Sequence, residues 1–377
     1  MSSSKIKVMV IDDSVLIRKY LTNTVNGFPD MEVITTAPNG KIGLQKFFLY
    51  HPDIIILDIE MPEMNGLEFL KYVQANCAPS IRPKIIVFSS LVGEGNSTTF
   101  EALSLGAADF IKKPEGKIND SLQSLAKDLS VMIRGLYKTL ETTRVQAPGV
   151  ETEELTDIAA ITTSQDNVLT GMHNLKKVLE AKKIRPSLIA IGSSTGGPNA
   201  IRKIMQTLKP IPVPMVIAQH MPTGFTLEFA KNLSKIYERQ VVEAKDGDIL
   251  ENGNIYICPG GCHSTIKSAG EKLIFRTDNR DYEGFFFKPS VDIFFKSIRE
   301  AVGNRVLALV LSGMGRDGSI ETVKMRREGS ILFAQDEKSS VVWGMPGNSI
   351  RNGGIDIVID IGEMGEAINR AVEYLFK

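Results

Sequence analysis

Cysteine is scarce: Cys77, Cys258 and Cys262 are all that 377 residues contain, too few and too scattered for a disulfide framework. Neither charge is in surplus, with 44 Lys and Arg against 44 Asp and Glu. A nucleic-acid binder ordinarily carries a basic excess to neutralise phosphates, so nucleic acid is not expected as a partner. No apolar run reaches the ~18 to 20 residues of a membrane helix, and membrane insertion is not expected either. The opening MSSSKIKVMVIDD lacks the layout of a signal peptide. A cytoplasmic protein is the expectation. Histidine is rare too, at positions 51, 173, 220 and 263 only, which narrows the search for a general base. No internal repeat is visible.

What is present is an alternation of short Val- and Ile-rich runs with amphipathic stretches, over a length that suits about two to three domains. KVMVID, MEVITTA, DIIILD, KIIVFSS and ADFIKK read as strands, with VLIRKYLTNTV, GKIGLQKFFL and GLEFLKYVQA as helices between them. This predicts a five-stranded, doubly wound α/β domain over residues 1–125. Its strands are nearly all apolar because helices cover both faces. Residues 126–186 turn polar and Thr-rich and read as a linker with helical segments, VLTGMHNLKKVLEAKK among them. A second α/β domain is expected over 187–377, doubly wound and mostly parallel. LIAIG, VPMVIAQ, NIYICP, KLIFRTD, RVLALVLSG, ILFAQ and IDIVIDI are its strands, with an antiparallel section near 254–278.

Reactive groups in open α/β sheets gather beyond the carboxyl ends of the strands. In the first domain Asp12 and Asp13 end the first strand, Asp58 the third, Ser89 the fourth and Lys113 the fifth. A lone Asp at a strand end is most simply a helix cap. Three carboxylates together repel one another unless a cation joins them. Mg²⁺ suits such a site, taking oxygen ligands from carboxylates and a phosphate. One carboxylate could then attack a phosphoryl donor, with Lys113 offsetting charge and Ser89 donating to a phosphoryl oxygen.

VIDDS at 10–14, LDIEMPEMNG at 57–66, FSS at 88–90 and KKP at 112–114 resemble the response-regulator receiver domain over about the first 125 residues. The resemblance implies that Asp58 is the phosphoacceptor, that Asp12 and Asp13 help it hold Mg²⁺, that Lys113 senses the phosphate and that Ser89 is the switch hydroxyl. Asn65 stands where such domains usually carry Asp, in the loop after the acceptor.

The second domain opens with LIAIGSSTGGPNAI. Gly192, Ser194 and Gly196 fit G-x-S-x-G, the strand–turn–helix elbow that exposes a nucleophilic hydroxyl. The helix beginning near Pro198 aims amides and a positive dipole end at a developing oxyanion. A Gly-rich phosphate loop is the rival, although GSSTGG lacks both the GK[ST] of a P-loop and the G-x-G-x-x-G of a dinucleotide site. A serine needs a base. His220 follows the next strand, VPMVIAQ, at the same sheet edge; His263, in the PGGCH turn, is the reserve. Asp317, in the Gly-rich turn after RVLALVLSG, could cap the helix IETVKMRRE or orient the His220 imidazole. Cys258, Cys262 and His263 have a spacing compatible with a metal, but no fourth ligand is evident and packed thiols are the simpler reading.

AIGSSTGGP, AQHMPTGFT, KPSVDIFF and LSGMGRDG are similar to the chemotaxis protein-glutamate methylesterases, a resemblance that now covers nearly the whole chain. It implies a phosphorylation-activated serine hydrolase that demethylates γ-glutamyl methyl esters of chemoreceptors and deamidates receptor glutamines. Ser194 would be nucleophile, His220 base and Asp317 the orienting acid, with Thr195 and Met314 shaping the oxyanion site or pocket and no cofactor in this domain. The implied partners are the methyl-accepting receptors as substrate and the chemotaxis histidine kinase CheA as phosphodonor. In that family the unphosphorylated receiver covers the catalytic cleft. Ser193 stands where Ala is common, and the elbow spacing selects Ser194. Two rivals remain: a receiver-controlled transcriptional or binding module, disfavoured by the missing helix-turn-helix pattern, and a nucleotide-binding enzyme using GSSTGG.

Overall fold

The computed structural model of the chain describes residues 5–78, 81–89, 95–113, 121–145, 168–237, 239–285 and 287–377. The chain divides into two compact units, Met1–Leu155 and Thr156–Lys377.

The first unit alternates strand and helix: β1 (Ile6–Ile11), α1 (Val15–Asn26), β2 (Met31–Ala37), α2 (Gly40–Tyr50), β3 (Ile54–Leu57), α3 (Gly66–Asn76), β4 (Lys84–Ser89), α4 (Gly95–Ser104), β5 (Asp109–Lys112) and α5 (Ser121–Val145). All five predicted strands form, and they pair in parallel in the order β2-β1-β3-β4-β5. Val8, Val10, Ile54 to Leu57 and Ile85 to Phe88 are buried, as expected of strands with helices on both faces. Helix starts are written in side chains: Ser14 caps α1 and Asn39 caps α2. Asn65 and Glu68 close a capping box on α3, which gives Asn65 a structural job in place of the usual Asp. The order reverses between β1 and β3, so their carboxyl ends open one crevice.

The second unit contains β6 (Leu169–Thr170), α6 (Leu175–Lys182), β7 (Leu188–Ser193), α7 (Gly197–Thr207), β8 (Met215–Gln219), α8 (Phe225–Ser234), β9 (Val241–Glu243), β10 (Ile255–Ile257), β11 (His263–Ala269), β12 (Lys272–Asp278), α9 (Val291–Val302), β13 (Val306–Val310), α10 (Ser319–Glu328), β14 (Ile331–Gln335), α11 (Gly344–Arg351), β15 (Ile357–Ile359) and α12 (Ile361–Leu375). Eight strands form one parallel sheet in the order β6-β15-β14-β13-β7-β8-β10-β9. Alternate residues Leu188, Ala190, Val216, Ala218, Ala308 and Val310 share a core with Val291, Phe294, Phe295 and Ile298 of α9, Met325 of α10 and Met345 of α11. On the opposite side α12 packs on α7 and α6. No helix among the described residues is long and apolar enough to cross a membrane.

Three expectations change. NIYIC becomes β10, a parallel member of the main sheet, and the antiparallel section shrinks to the hairpin β11–β12 at His263–Asp278. The first unit does not end at residue 125, because α5 runs on with Leu125, Leu129, Met132, Ile133, Leu136 and Leu140 buried at helical spacing. Nor does the second wait until 187. β6 pairs with β15, and α6 buries Leu175, Val178 and Leu179. Lys182 of α6 lies 3.3 Å from Asp356. Of the expected linker, residues 146–167 lie outside the described residues.

Candidate active site

Two constellations occupy carboxyl edges, one in each unit. In the first, one ligand oxygen from each of Asp12, Asp13 and Asp58 lies within 4.8 Å of the others. Lys113 Nζ sits 2.7 Å from Asp58 Oδ2 and 3.0 Å from Asp12 Oδ2. Asp58 is buried. Burial pushes its carboxyl up to about 6, against the hydrogen bond and charge of Lys113, while Asp12 adds to the rise. Burial disfavours the Lys113 ammonium, but Asp58 and Asp12 outweigh it and hold its pKa above the ordinary lysine value. Asp12 Oδ1 accepts from the Ser14 amide at 2.8 Å. Asp12 Oδ2 is buried without a hydrogen bond, its contact with Lys113 being an ion pair lacking that geometry. Three acidic groups whose oxygens converge, one of them a buried Asp12 oxygen engaged only by its ion pair with Lys113, fit a hard divalent cation such as Mg²⁺. The Ser89 hydroxyl, also buried, accepts from Thr99 Oγ1 at 2.7 Å. Of the KKP motif, Pro114 lies outside the described residues.

In the second unit, β7 lies between β13 and β8. Ser193 of β7 is in register with Gln219 of β8, so the next residues, Ser194 and His220, leave neighbouring strands side by side. The His220 amide donates to the Ser193 carbonyl at 3.0 Å. The two adjacent serines differ in surroundings. Ser193 is 0% exposed and its hydroxyl donates to Gln219 Oε1 at 2.7 Å, whereas Ser194 is 8% exposed. Gly196 has φ +79°, a left-handed turn that suits glycine, and caps α7 without a side chain. Pro198 is in the first turn of α7, leaving its N-terminal dipole directed at the elbow.

Asp317 reaches this edge from the turn after β13. His220 Nε2 lies 2.8 Å from Asp317 Oδ2, and their side chains are 6% and 13% exposed. Asp317 Oδ2 also accepts from the Val291 amide at 2.7 Å. Its Oδ1 accepts from the Asp292 amide at 2.9 Å and the Ser290 hydroxyl at 3.0 Å. Asp317 thus caps α9, not α10. Asp292 returns the arrangement, its Oδ1 accepting from the Ile320 and Glu321 amides of α10 at 3.2 and 2.9 Å. Burial would raise the Asp317 carboxyl, but the His220 hydrogen bond and charge and the α9 amides hold it below the usual carboxylate range. Asp292 is raised to about 6, first by burial and also by the Asp317 and Glu321 charges, against its amide hydrogen bonds.

Because Asp317 engages Nε2, the other ring nitrogen is the one available to a hydroxyl. His220 Nδ1 is buried and has no hydrogen-bond partner, so the Ser194–His220 hydrogen bond is not formed in this state; catalytic hydrogen bonds are often looser before substrate binds. A Phe287 ring stacks on the imidazole, centroids 4.5 Å apart and planes 12° apart. Thr195 is half-buried in the elbow, its carbonyl accepting from Ser312 Oγ at 2.7 Å. Met314 is half-buried in the turn that leads to Asp317.

His263, the reserve base, begins β11 and is fully buried; its Nδ1 accepts from the Ser290 amide at 3.3 Å. Burial pushes its pKa down. It stands behind Asp317, linked through Ser290, and its Nε2 is buried with no hydrogen-bond partner, so it makes no hydrogen bond to the elbow serine. His173 lies in the short 3₁₀ turn before α6 and His51 at the end of α2. Among the described residues Asp12, Asp13 and Asp58 form the one group able to hold a metal, and Cys258, Cys262 and His263 form none. Both thiols are buried, and burial pushes Cys258 up to about 12.

Residues that the motif reading passed over support the elbow. Gln219 Nε2 donates to the carbonyls of Ser194 and His220, both at 2.9 Å. Gln335 Oε1 accepts from the Ser312 amide at 2.8 Å, and the Ser312 carbonyl accepts from the Ser194 amide at 3.0 Å. The signal was available: β8 and β14 both end in Ala-Gln, a polar amide closing a buried apolar run, which requires nearby backbone partners.

Comparison with known proteins follows the same division. The CheB methylesterase family model matches residues 189–368, and the response regulator receiver domain model matches residues 8–124. A protein-glutamate methylesterase/protein-glutamine glutaminase of Treponema denticola is 36% identical, over 97% of this chain and 98% of its own length. A protein of the same description from Pyrococcus abyssi is 32% identical, over 100% and 96%. A solved structure, the Thermotoga maritima CheB methylesterase catalytic domain, is 34% identical and covers 50% of this chain and 99% of its own, with a TM-score of 0.47.

Proposed function

The chain belongs to the CheB methylesterase family, with a response regulator receiver domain preceding the catalytic one, and from that premise we propose that Ser194, His220 and Asp317 hydrolyse γ-glutamyl methyl esters of chemoreceptors under control of phosphorylation at Asp58. The observation that carries the catalytic part is the oriented imidazole. Asp317 holds Nε2 and leaves Nδ1 buried without a hydrogen-bond partner, on the residue that follows β8 where Ser194 follows the neighbouring β7.

In this mechanism His220 Nδ1 takes the Ser194 proton as Oγ attacks the ester carbonyl. Asp317, held below the usual carboxylate range, keeps the Nε2–H tautomer and stabilises the imidazolium that forms. Thr195 and Met314 would shape the oxyanion site or pocket, with the positive dipole end of α7 directed at the elbow. His220 returns its proton to departing methanol. Water then repeats the sequence on the glutamyl-enzyme. An amide in place of the ester gives ammonia and glutamate, the receptor-glutamine deamidation of the same site. The catalytic chemistry uses side chains and backbone alone.

In the receiver domain Asp12, Asp13 and Asp58 would hold Mg²⁺, which when bound screens the carboxylate and phosphoryl charges. Asp58 Oδ is the acceptor and Lys113 neutralises the incoming group. Ser89, already within a hydroxyl pair with Thr99, is the hydroxyl that would turn toward it. The phosphodonor in this reading is the chemotaxis histidine kinase CheA, and the setting is the cytoplasm.

Methanol release from methylated receptor, with and without a small-molecule phosphodonor, tests both halves. Ser194→Ala is expected to abolish release, and Asp58→Asn to keep basal release while removing stimulation. Release by Ser194→Ala at the parent rate would refute the nucleophile; stimulation of Asp58→Asn would refute the acceptor.

A further inference from the structure

The site just proposed leaves one neighbour of His220 without a role. His220 is nearly sealed from solvent, yet the ring lying flat on it, Phe287, is 40% exposed. A large apolar side chain half in water, stacked at 12° on the one imidazole the reaction uses, is not explained by core packing.

The segment that carries this ring is tied down on both sides. Before it, Asp278 accepts from Arg280 Nη2 at 2.6 Å and from the Tyr282 hydroxyl at 2.6 Å. Lys288 Nζ donates to the Asn279 carbonyl and pairs with Asp281, both at 2.8 Å. Tyr282 and Phe285 form a β-bridge. After the ring, Ser290 is fixed by its hydrogen bond to Asp317. Phe287 is therefore held over His220 from a pinned strap whose far end is the triad carboxylate itself.

We infer that Phe287 is a positioning residue for the hydrolysis: its ring face holds the His220 plane and stabilises the imidazolium formed as Ser194 loses its proton. The face of an aromatic ring carries negative potential, and a cation within about 6 Å of its centroid is attracted. The stacked distance of 4.5 Å lies inside that reach. The interaction strengthens when the imidazole becomes charged, so it favours the transition state over the ground state, which raises kcat without tightening substrate binding. The ring also keeps water from competing for the imidazole.

This inference rests on the triad reading, and the test separates the two. Phe287→Leu, Phe287→Tyr and Ser194→Ala are compared in the full-length protein by methanol release from methylated receptor. Leu removes the π face at similar bulk, and Tyr retains it. Phe287→Leu is expected to lower kcat about three- to tenfold with KM within about twofold, and Phe287→Tyr to restore kcat to within about twofold. An unchanged kcat in Phe287→Leu, a Tyr variant as slow as Leu, or a loss confined to KM each overturns the inference. If Phe287→Leu is fully active while Ser194→Ala is dead, only the Phe287 role fails. If Ser194→Ala is active, the triad itself fails.

Discussion

Asp317→Asn is the most revealing single change, because one atom is exchanged where four donors converge. Asn keeps an oxygen for the Asp292 amide and the Ser290 hydroxyl. Its NH₂ then occupies the place of Oδ2, which now accepts from Val291 and His220. A donor facing His220 Nε2 obliges that nitrogen to accept. The ring proton moves to Nδ1, the nitrogen that takes the Ser194 proton in the proposed mechanism. Wrong-tautomer substitutions of this kind cost about 10³- to 10⁴-fold in kcat, or roughly 4 to 5.5 kcal/mol of barrier. Stability falls as well. Loss of a charge-assisted bond and an opposed Val291 N–H amount to about 2 to 4 kcal/mol. The assay is therefore kcat for methanol release, measured on protein whose Trp343 emission is native. Trp343 is the single tryptophan and belongs to the second unit, so its emission reports that unit's integrity. An Asp317→Asn protein with native emission and activity within tenfold of the parent would refute the orientation argument.

Other outcomes follow from the same contacts. Asp292 has a folded-state value near 6 against 3.8 unperturbed, so its protonation favours the folded unit. That contribution is complete below about pH 4 and is lost as pH rises through 6, a change of about 2 to 3 kcal/mol. Asp292→Asn should gain about that much stability over the parent between pH 4 and 7 in urea melts followed by Trp343; an unchanged difference across that range would contradict it. Ser193→Ala should retain most methanol release and lose about 1 to 2 kcal/mol, because Gln219 Oε1 loses its buried donor; a dead but folded Ser193→Ala would move the nucleophile. A Cβ on Gly197 collides with Gln219 Oε1 and crowds Ser193. Gly197→Ala should therefore destabilise by about 1 to 3 kcal/mol and lower kcat, and a melting curve superimposable on the parent's would show that the elbow is looser than described.

The sequence was most legible where a pattern is local. β1, β3 and β4 of the first unit, and β7, β8, β13 and β14 of the second, form as almost wholly buried strands, whereas β2 and β5 are half-buried. Three kinds of feature escaped. β6 and β9 are only two and three residues long, below any useful period. β11, HSTIKSA, has no apolar face to read, and its partner β12 supplies the pairing. The capping of α9 by Asp317 spans 25 or more residues, so sequence proximity pointed to α10 instead. For the site, Asp12, Asp58 and Lys113 are brought together by the strand order, and Asp317 by a turn that spacing alone could not aim. Gln219 and Gln335 had a local signal that motif matching passed over. For Phe287 the signal was ambiguous: FFFKPSVDIFF reads as core and helix start or as the lining of a substrate groove, and one of its phenylalanines lies on the imidazole.

The crossed caps of α9 and α10 carry a practical consequence. Each helix lends its first amides to a carboxylate borne by, or just ahead of, the other. Neither helix can fray at its N-terminal end without freeing the acid that orients His220. Heat should therefore extinguish hydrolysis and dissolve this helix pair in a single event, leaving no long-lived species that is partly melted yet still active. Residual activity then serves as a count of intact catalytic units, and a stabilising substitution anywhere in the α9–α10 pair should lengthen the working life of the enzyme by the same factor that it slows unfolding.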